Sequence, residues 1–410
     1  MNSKLLGGIL LIVGTAIGGG MLALPIATSE AGFVNSFFLL VAIWLVMTAG
    51  AFLILEVNLW LPINSNIISM ARTTLGGVGQ IVAWVTYLLL LYSLLAAYIA
   101  GGGDFLGHLL SSININLPPW LAAFLFTGLL SLIVYHGIRS VDYVNRGLML
   151  AKFGSIVLLV IVILPFVSSV HLMEGQFKYI TASVTVAVTS FGFSTIVPSL
   201  RSYFQDDIAK LRLAILIGSL IPLACYIIWD LAIMGTIPRT GEHGLIQMLH
   251  SGHSTSSFVE AFSVLLNRDI ITAAARLFTS VCLATAFLGV ALCLSDFLAD
   301  GLRINKTGVG KIKIYLATFI PPLLIVLFYP NAFISALSYA GIYCMVLLVL
   351  LPALMAWRGR YHLQLTGNYR VPGGKLLLLV LIILSVLIIV NSLNGFEMVK
   401  KHLYLFLKVR

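Results

Sequence analysis

Two apolar stretches, about half a chain apart, hold groups able to grip a small zwitterion without any reactive side chain. The first runs Gly14-Thr15-Ala16-Ile17-Gly18-Gly19-Gly20-Met21 and on to Pro25; the second runs Ser190-Phe191-Gly192-Phe193-Ser194-Thr195 and on to Pro198. Glycine runs and a proline interrupt helical bonding. In lipid, bare N–H and C=O groups find no water, so an interrupted helix survives only where it lines a cavity. Unwinding at Gly18–Gly20 leaves amides at the start of the following half-helix, where the helix dipole favours a carboxylate. A side chain at those glycines would hold the anion off the backbone. Carbonyls freed around Gly14–Ala16 and Ser190–Phe191 can accept from an ammonium group. Phe191 and Phe193 flank Gly192 and give that break an aromatic wall. Close helix packing is the alternative, because small-xxx-small spacing draws membrane helices together. That is the preferred reading for Gly7, Gly8 and Gly101–Gly103. For Gly18–Gly20 the matching break in the other half favours a binding site.

Charged side chains inside apolar segments cost on the order of 2.5–3.5 kcal/mol at a helix centre, so each needs a reason. Lys152 stands roughly two turns inside Arg146. Position alone leaves it open between a functional cation and a lysine snorkelling to headgroups. Glu56 and Asp296 lie near segment ends, where interfacial anchoring or a gate ion pair is the ordinary role. Asp230 and Arg276 lie near the opposite face; a pair between them requires neighbouring helices, and a wet vestibule is the alternative. His243, His250 and His253 cluster without acidic ligands at useful spacing, so no metal is expected. Cys225, Cys282, Cys293 and Cys344 lack ligand spacing and read as small apolar residues.

The elements that must position these groups are membrane spans. Hydrophobic residues make up 60% of the 410 and charged ones 9%, far from the balance of a water-soluble domain. About eleven segments can cross a ~30 Å hydrocarbon layer: near residues 5–28, 33–59, 81–101, 119–136, 147–168, 181–200, 212–236, 270–298, 312–329, 333–356 and 375–395. The first is too long, and too soon followed by another, for a cleaved signal peptide. The net charge of +10 is not a nucleic-acid footprint. Arg72, Arg139, Arg146, Arg201, Lys210, Arg303 and Lys306 fall in or beside alternate loops, whereas the opposite loops carry Lys178, Arg239 and Arg268. That asymmetry puts the N-terminus in the cytoplasm.

Five spans precede the second broken segment, and five, counting it, follow. An odd number per half inverts the second half relative to the first. Glu56 follows Pro25 by 31 residues and Asp230 follows Pro198 by 32, as a duplicated unit would leave them. The expected organisation is a first five-helix repeat over 1–168, an inverted second repeat over 181–356, and an additional helix at 375–395. A short helix near Ser257–Leu266 is expected to lid the outer vestibule.

The strings GTAIGGGMLALP, SFGF before Pro198, IGSLIPLACYIIWDLAIMGTIP and LATAFLGVALCLSDFLAD resemble the hydroxy/aromatic amino acid permease family, within the amino acid–polyamine–organocation superfamily. The likeness covers nearly the whole chain and is greatest to bacterial tyrosine-specific transporters. It implies an all-α integral membrane protein with a leucine-transporter-like five-plus-five inverted repeat, discontinuous in its first and sixth spans. It implies proton-driven import of an aromatic amino acid across the bacterial inner membrane by alternating access. Tyrosine is the first choice of substrate; tryptophan, phenylalanine or a broader neutral range follow. Ser194 stands where tyrosine relatives carry histidine, Gly19 where they carry alanine and Asp230 where they carry an amide, which puts selectivity in question.

The resemblance also distributes roles. Tyr92, midway along the third span, would meet the substrate's carboxylate or ring; Phe287 in the eighth span is a candidate pocket wall, although core or lipid packing is the ordinary role of a single phenylalanine in so apolar a chain. Tyr98 lies nearer the exterior and reads as interfacial or gating. Related proton-coupled carriers place a lysine where sodium-coupled ones bind a cation, so Lys152 would carry or sense the proton, with Glu56 and Asp230 as weaker candidates. Sodium coupling is the rival: Thr285 offers a hydroxyl, but Lys152 would repel a nearby cation. A membrane enzyme would show HExxH, GxSxG, paired catalytic aspartates or a nucleotide loop, and the chain shows none. A channel would want a repeated filter or a symmetric ring of charges. No cofactor and no obligate protein partner is expected beyond the amino acid, the proton and the lipid bilayer.

Overall fold

The computed structural model describes residues 3–266, 268–329 and 332–408, and no strand occurs among them. The first interrupted span comprises α1 (Ser3–Ala16) and α2 (Gly19–Ala27), followed by α3 (Phe33–Leu59). Then come α4 (Ile67–Ser111), α5 (Pro119–Tyr135), α6 (Ile138–Ile163) and the short α7 (Ser169–Met173). The second interrupted span comprises α8 (Ile180–Ser190) and α9 (Val197–Phe204), leading into α10 (Ile208–Thr236). Two loop helices, α11 (Leu245–Ser251) and α12 (Ser254–Leu266), precede α13 (Asp269–Gly301) and α14 (Gly308–Phe328). The tenth span is α15 (Phe333–Met345), a π-helical stretch and α16 (Leu351–Tyr361); α17 (Gly374–Lys408) is last.

Among the described residues nine helical stretches are long and apolar enough to span a membrane, and α1 with α2 makes a tenth. The 17-residue α5 fills the expected fourth place. The third span begins earlier than its hydropathy predicts. An Asn66–Ser69 capping box starts α4, and Gly76, at φ 79°, breaks it before the membrane stretch; only glycine takes that backbone cheaply. The outward faces of α14 and α17 leave Leu316, Ile320, Leu324, Leu379, Ile383 and Leu387 exposed, a surface suited to acyl chains rather than water.

The two interruptions differ in depth. Between α1 and α2 the axis bends by 52°, with Gly18 extended at φ −146°. Between α8 and α9 the chain tightens into a 3₁₀ run, Gly192–Ile196, rather than unwinding fully. Pro198 in the first turn of α9 lacks an N–H and tolerates that junction. Around these breaks α4 packs on α15, α13 on α6, and α10 on α1 and α3. The loop helix begins three residues earlier than expected, and α12 packs on α13, α4 and α2.

Candidate functional site

A cavity of about 580 Å³ lies against both breaks, within the size range of small-molecule sites. Thr15, Ala16, Ile17, Gly18 and Gly20 line it from the first break, Ser190 and Gly192 from the second, and Lys152 from α6. Every residue of α2 is buried, so the cavity is shut on that side. Towards the N-terminal end of α1 it is open: Leu10 and Leu11 line it and are 54% and 50% exposed.

The first break supplies the bare peptide groups. Among the described residues the amides of Gly18, Gly19 and Gly20 take no backbone hydrogen bond, while Met21 reaches back to the Gly18 carbonyl at 3.1 Å. A Cβ on Gly20 would sit 2.6 Å from Ser190 Oγ and 3.2 Å from Ser190 Cα, so glycine there lets the two breaks touch. A Cβ on Gly19 would lie 2.4 Å from the Tyr98 ring. At Gly18 the nearest atom to a Cβ is Ala286 Cβ at 3.9 Å, which leaves its backbone approachable from the cavity.

Two side chains hold the carbonyl ends. Lys152, 1% exposed, donates from Nζ to the Ile17 carbonyl at 2.6 Å. The Tyr226 hydroxyl lies 2.7 Å from the Ala16 carbonyl and 2.8 Å from the Ser190 carbonyl. The single phenol proton thus serves one of these two carbonyls at a time. Tyr226 is absent from the sequence expectations because it comes from α10, distant in sequence from both breaks.

Several predicted residues are not brought to the cavity. Tyr92 turns to α14, where its hydroxyl donates to the Ala317 carbonyl at 2.7 Å. Phe287 packs edge-on to Phe126 and stacks on Phe319. Each lies one residue off its helix's cavity stripe, which runs Tyr87, Leu91, Leu94, Tyr98 on α4 and Ala286, Gly289, Val290, Cys293 on α13. One residue is about 100° of helix, enough to face another neighbour. Phe193 is fully buried, Phe191 packs edge-on to Tyr226, and the Ser194 hydroxyl points to the Met47 carbonyl at 3.4 Å. The 3₁₀ run instead presents Gly192, Thr195 and Ile196, and α9 adds Ser199. The cavity wall is therefore leucine-rich with two tyrosines, not the phenylalanines of the second break. Tyr98, expected to be interfacial or gating, lines it.

The other ionisable candidates lie outside the cavity. Glu56 and Arg360 are both buried and paired through two bonds of 2.7 and 2.5 Å, and Glu56 also accepts from the Val371 amide at 2.7 Å. This ties α3 to α16 and the segment after it. Asp230 accepts from the Ser36 hydroxyl at 2.6 Å. No ion pair joins it to Arg276 among the described residues: Asp230 Oδ1 and Arg276 Nε are each buried without a partner. Asp296 pairs with Lys306 at the surface.

The tryptophan/tyrosine permease family model matches residues 1–392. The tyrosine-specific transport system 1 of Haemophilus influenzae is 34% identical over 94% of this chain and 96% of its own length. The tryptophan-specific transport protein of Pseudomonas aeruginosa is 36% identical over 87% of each. In fold, the chain is similar to MhsT, solved in complex with L-phenylalanine, with a TM-score of 0.63 at 16% identity, covering 95% of this chain and 98% of that one.

Proposed function

Because the chain belongs to the tryptophan/tyrosine permease family, we propose that it imports an aromatic amino acid, tyrosine foremost, by proton symport with alternating access. The observation that carries this reading is the cavity at the first break, where three glycine amides lack partners beside a wall of Leu90, Leu91, Leu94 and Val290. The substrate carboxylate takes the Gly18–Gly20 amides. Its ammonium shares the carbonyls that Tyr226 now holds, each of which has a second lone pair. Its ring lies among the leucines, Tyr87 and Tyr98.

With the N-terminus in the cytoplasm, the open end of the cavity faces inward, and the conformation is the one that releases substrate. The packing of α4 on α15 and of α13 on α6 supports inverted repeats at 1–168 and 181–356: a shift of five spans converts one pair into the other. The helix at 375–395 stands outside the repeats.

Lys152 is the leading proton-coupling group, since its ammonium already occupies a carbonyl of the first break. That placement disfavours sodium, as does Thr285, whose hydroxyl is bonded to the Cys282 carbonyl at 3.1 Å. Asp230, with one oxygen unpartnered, is second; Glu56, held by Arg360, serves the inner gate. Uptake of labelled tyrosine into proteoliposomes under separately imposed proton and sodium gradients tests the coupling. Competition by tryptophan, phenylalanine, leucine and serine tests the substrate. Accumulation driven by sodium alone, or competition by serine as strong as by tryptophan, would overturn the respective part.

A further inference from the structure

The loop helix α12 is anchored in an unusual way. Its first turn has amides that no residue within the helix can satisfy. The His253 carbonyl accepts from the Ser257 amide at 2.9 Å, which makes His253 the capping position. A capping side chain would bond the third amide of the helix. Here that bond goes to another element: Asp104, on α4, accepts from the Ser256 amide at 2.9 Å. The same carboxylate accepts from the Thr255 hydroxyl at 2.7 Å, the Ser256 hydroxyl at 2.9 Å and His253 Nδ1 at 2.9 Å. The single hydroxyl protons of Thr255 and Ser256 have the Gly101 carbonyl at 2.9 Å and the His253 carbonyl at 3.2 Å as alternatives, so up to four donors converge on the carboxylate's two oxygens. Its negative charge also lies at the positive end of the α12 dipole.

The anchor joins two parts of the molecule. Six residues before Asp104 on α4 stands Tyr98, whose ring lies against Gly19 of the first break. From α12, Phe258 packs on Trp229 of α10 at 6.0 Å between ring centres. The adjoining loop is tied to the corner between α2 and α3, where Arg239 donates to the Ser29 and Glu30 carbonyls at 2.9 Å each. The lid thus bridges α4 to the interrupted span and α10, over the side of the cavity that is shut.

We propose that Asp104 and the capping turn of α12 form a protonation-sensitive latch that holds the outer gate shut, with His253 as the group that titrates. The latch rests on the transporter reading for its place on the exterior, and concerns the gate rather than the substrate site. His253 faces a hollow of about 270 Å³ whose other titratable side chains are Asp104 and His108, both from α4; α5 and α14 contribute Ala122, Ala123 and Val326. Of the remaining elements packed on α12, α11 carries His250, turned to Glu30 at 3.3 Å. α2 carries no charge, and the Asp269 and Arg276 of α13 make no bond to His253 among the described residues. The hydrogen bond to Asp104 raises the His253 imidazole above its ordinary value, burial acting the other way. A raised value means that the contribution is complete below the ordinary histidine range. It is lost as pH climbs through the raised value, where the imidazolium–carboxylate ion pair gives way to a bond from a neutral imidazole to the carboxylate. An acidic exterior therefore favours the shut gate, and an alkaline one frees it.

Hydrogen exchange of the α12 amides in the full-length protein, in lipid and corrected for the intrinsic pH dependence of exchange, tests the latch. In the wild type, protection falls from pH 6 to pH 8.5. In Asp104→Asn it drops by about tenfold or more at both values, as loss of a multiply bonded charged acceptor demands. In His253→Gln, which keeps a neutral donor, protection matches the alkaline wild type and its pH dependence disappears. Unchanged protection in Asp104→Asn, or the same pH dependence with and without His253, overturns the proposal. Should Asp104→Asn fail to fold, the His253→Gln comparison decides alone. Failure of the transporter reading is separate: it shows as wild-type protein that accumulates no aromatic amino acid, whatever α12 does.

Discussion

The two breaks differ in geometry. The first bends by 52°, leaves three glycine amides without a backbone partner among the described residues, and holds a lysine on its carbonyl end. The second tightens into a 3₁₀ run, turns its phenylalanines inward, and offers the cavity one bare glycine, Gly192, with Thr195 and Ile196. Unpartnered amides are thus concentrated at the first break, while the second lines the cavity with the hydroxyl residues Thr189, Ser190, Thr195 and Ser199. The Tyr226 hydroxyl ties the unequal partners together.

The largest effects follow from that inequality. In Gly18→Ala the new methyl group meets nothing closer than 3.9 Å, so the protein folds, but the carboxylate is held off the amides. Uptake falls on the order of a hundredfold, as displacement by about 1 Å does in other positioned sites. Gly192→Ala, whose methyl would lie 3.5 Å from Cys344 Sγ, keeps most of its uptake. Equal losses in the two variants, measured in the same vesicles, would erase the distinction between the breaks.

Next is Lys152→Met, which removes the cation from the Ile17 carbonyl. Uptake driven by a pH gradient falls about tenfold or more, given the worth of hydrogen bonds from charged groups, while tyrosine–tyrosine exchange persists. Full gradient-driven uptake in that variant would dismiss the lysine from coupling. Tyr226→Phe takes the shared donor from two buried carbonyls, at a cost of about 1–3 kcal/mol. It appears as a lower Tm together with weaker tyrosine binding; a change in neither would make Tyr226 a bystander. Smallest is Tyr92→Phe, which loses only the bond to the Ala317 carbonyl, about 1 kcal/mol of stability, and leaves the KM for tyrosine unchanged. A raised KM would restore Tyr92 to the site.

The spans, both breaks and the lid helix were legible because each leaves a local mark: an apolar run, a glycine cluster followed by proline, a short amphipathic stretch. Which way a side chain faces was not. Tyr92 and Phe287 sit in helices that are apolar on every side, so no polar stripe marks the cavity face. Their neighbours Leu91 and Ala286 face it instead. Partnerships across the fold were equally hidden. No acid stands at useful spacing from His253 in the sequence, yet Asp104, 149 positions earlier, supplies one. Asp230 and Arg276 matched in depth, yet make no pair among the described residues. Arg360, 304 positions from Glu56, takes that acid.

The central claim, that the substrate lies in the cavity between the breaks, is tested most directly at Cys293. This cysteine lines the cavity, whereas Cys225 is partly exposed and does not. Maleimide labelling of each cysteine in membrane-embedded protein, resolved by mass spectrometry, is measured against tyrosine concentration. The account predicts saturable slowing at Cys293, half-maximal at the KM for uptake, with no change at Cys225. Labelling of Cys293 that proceeds unaltered at saturating tyrosine would contradict it.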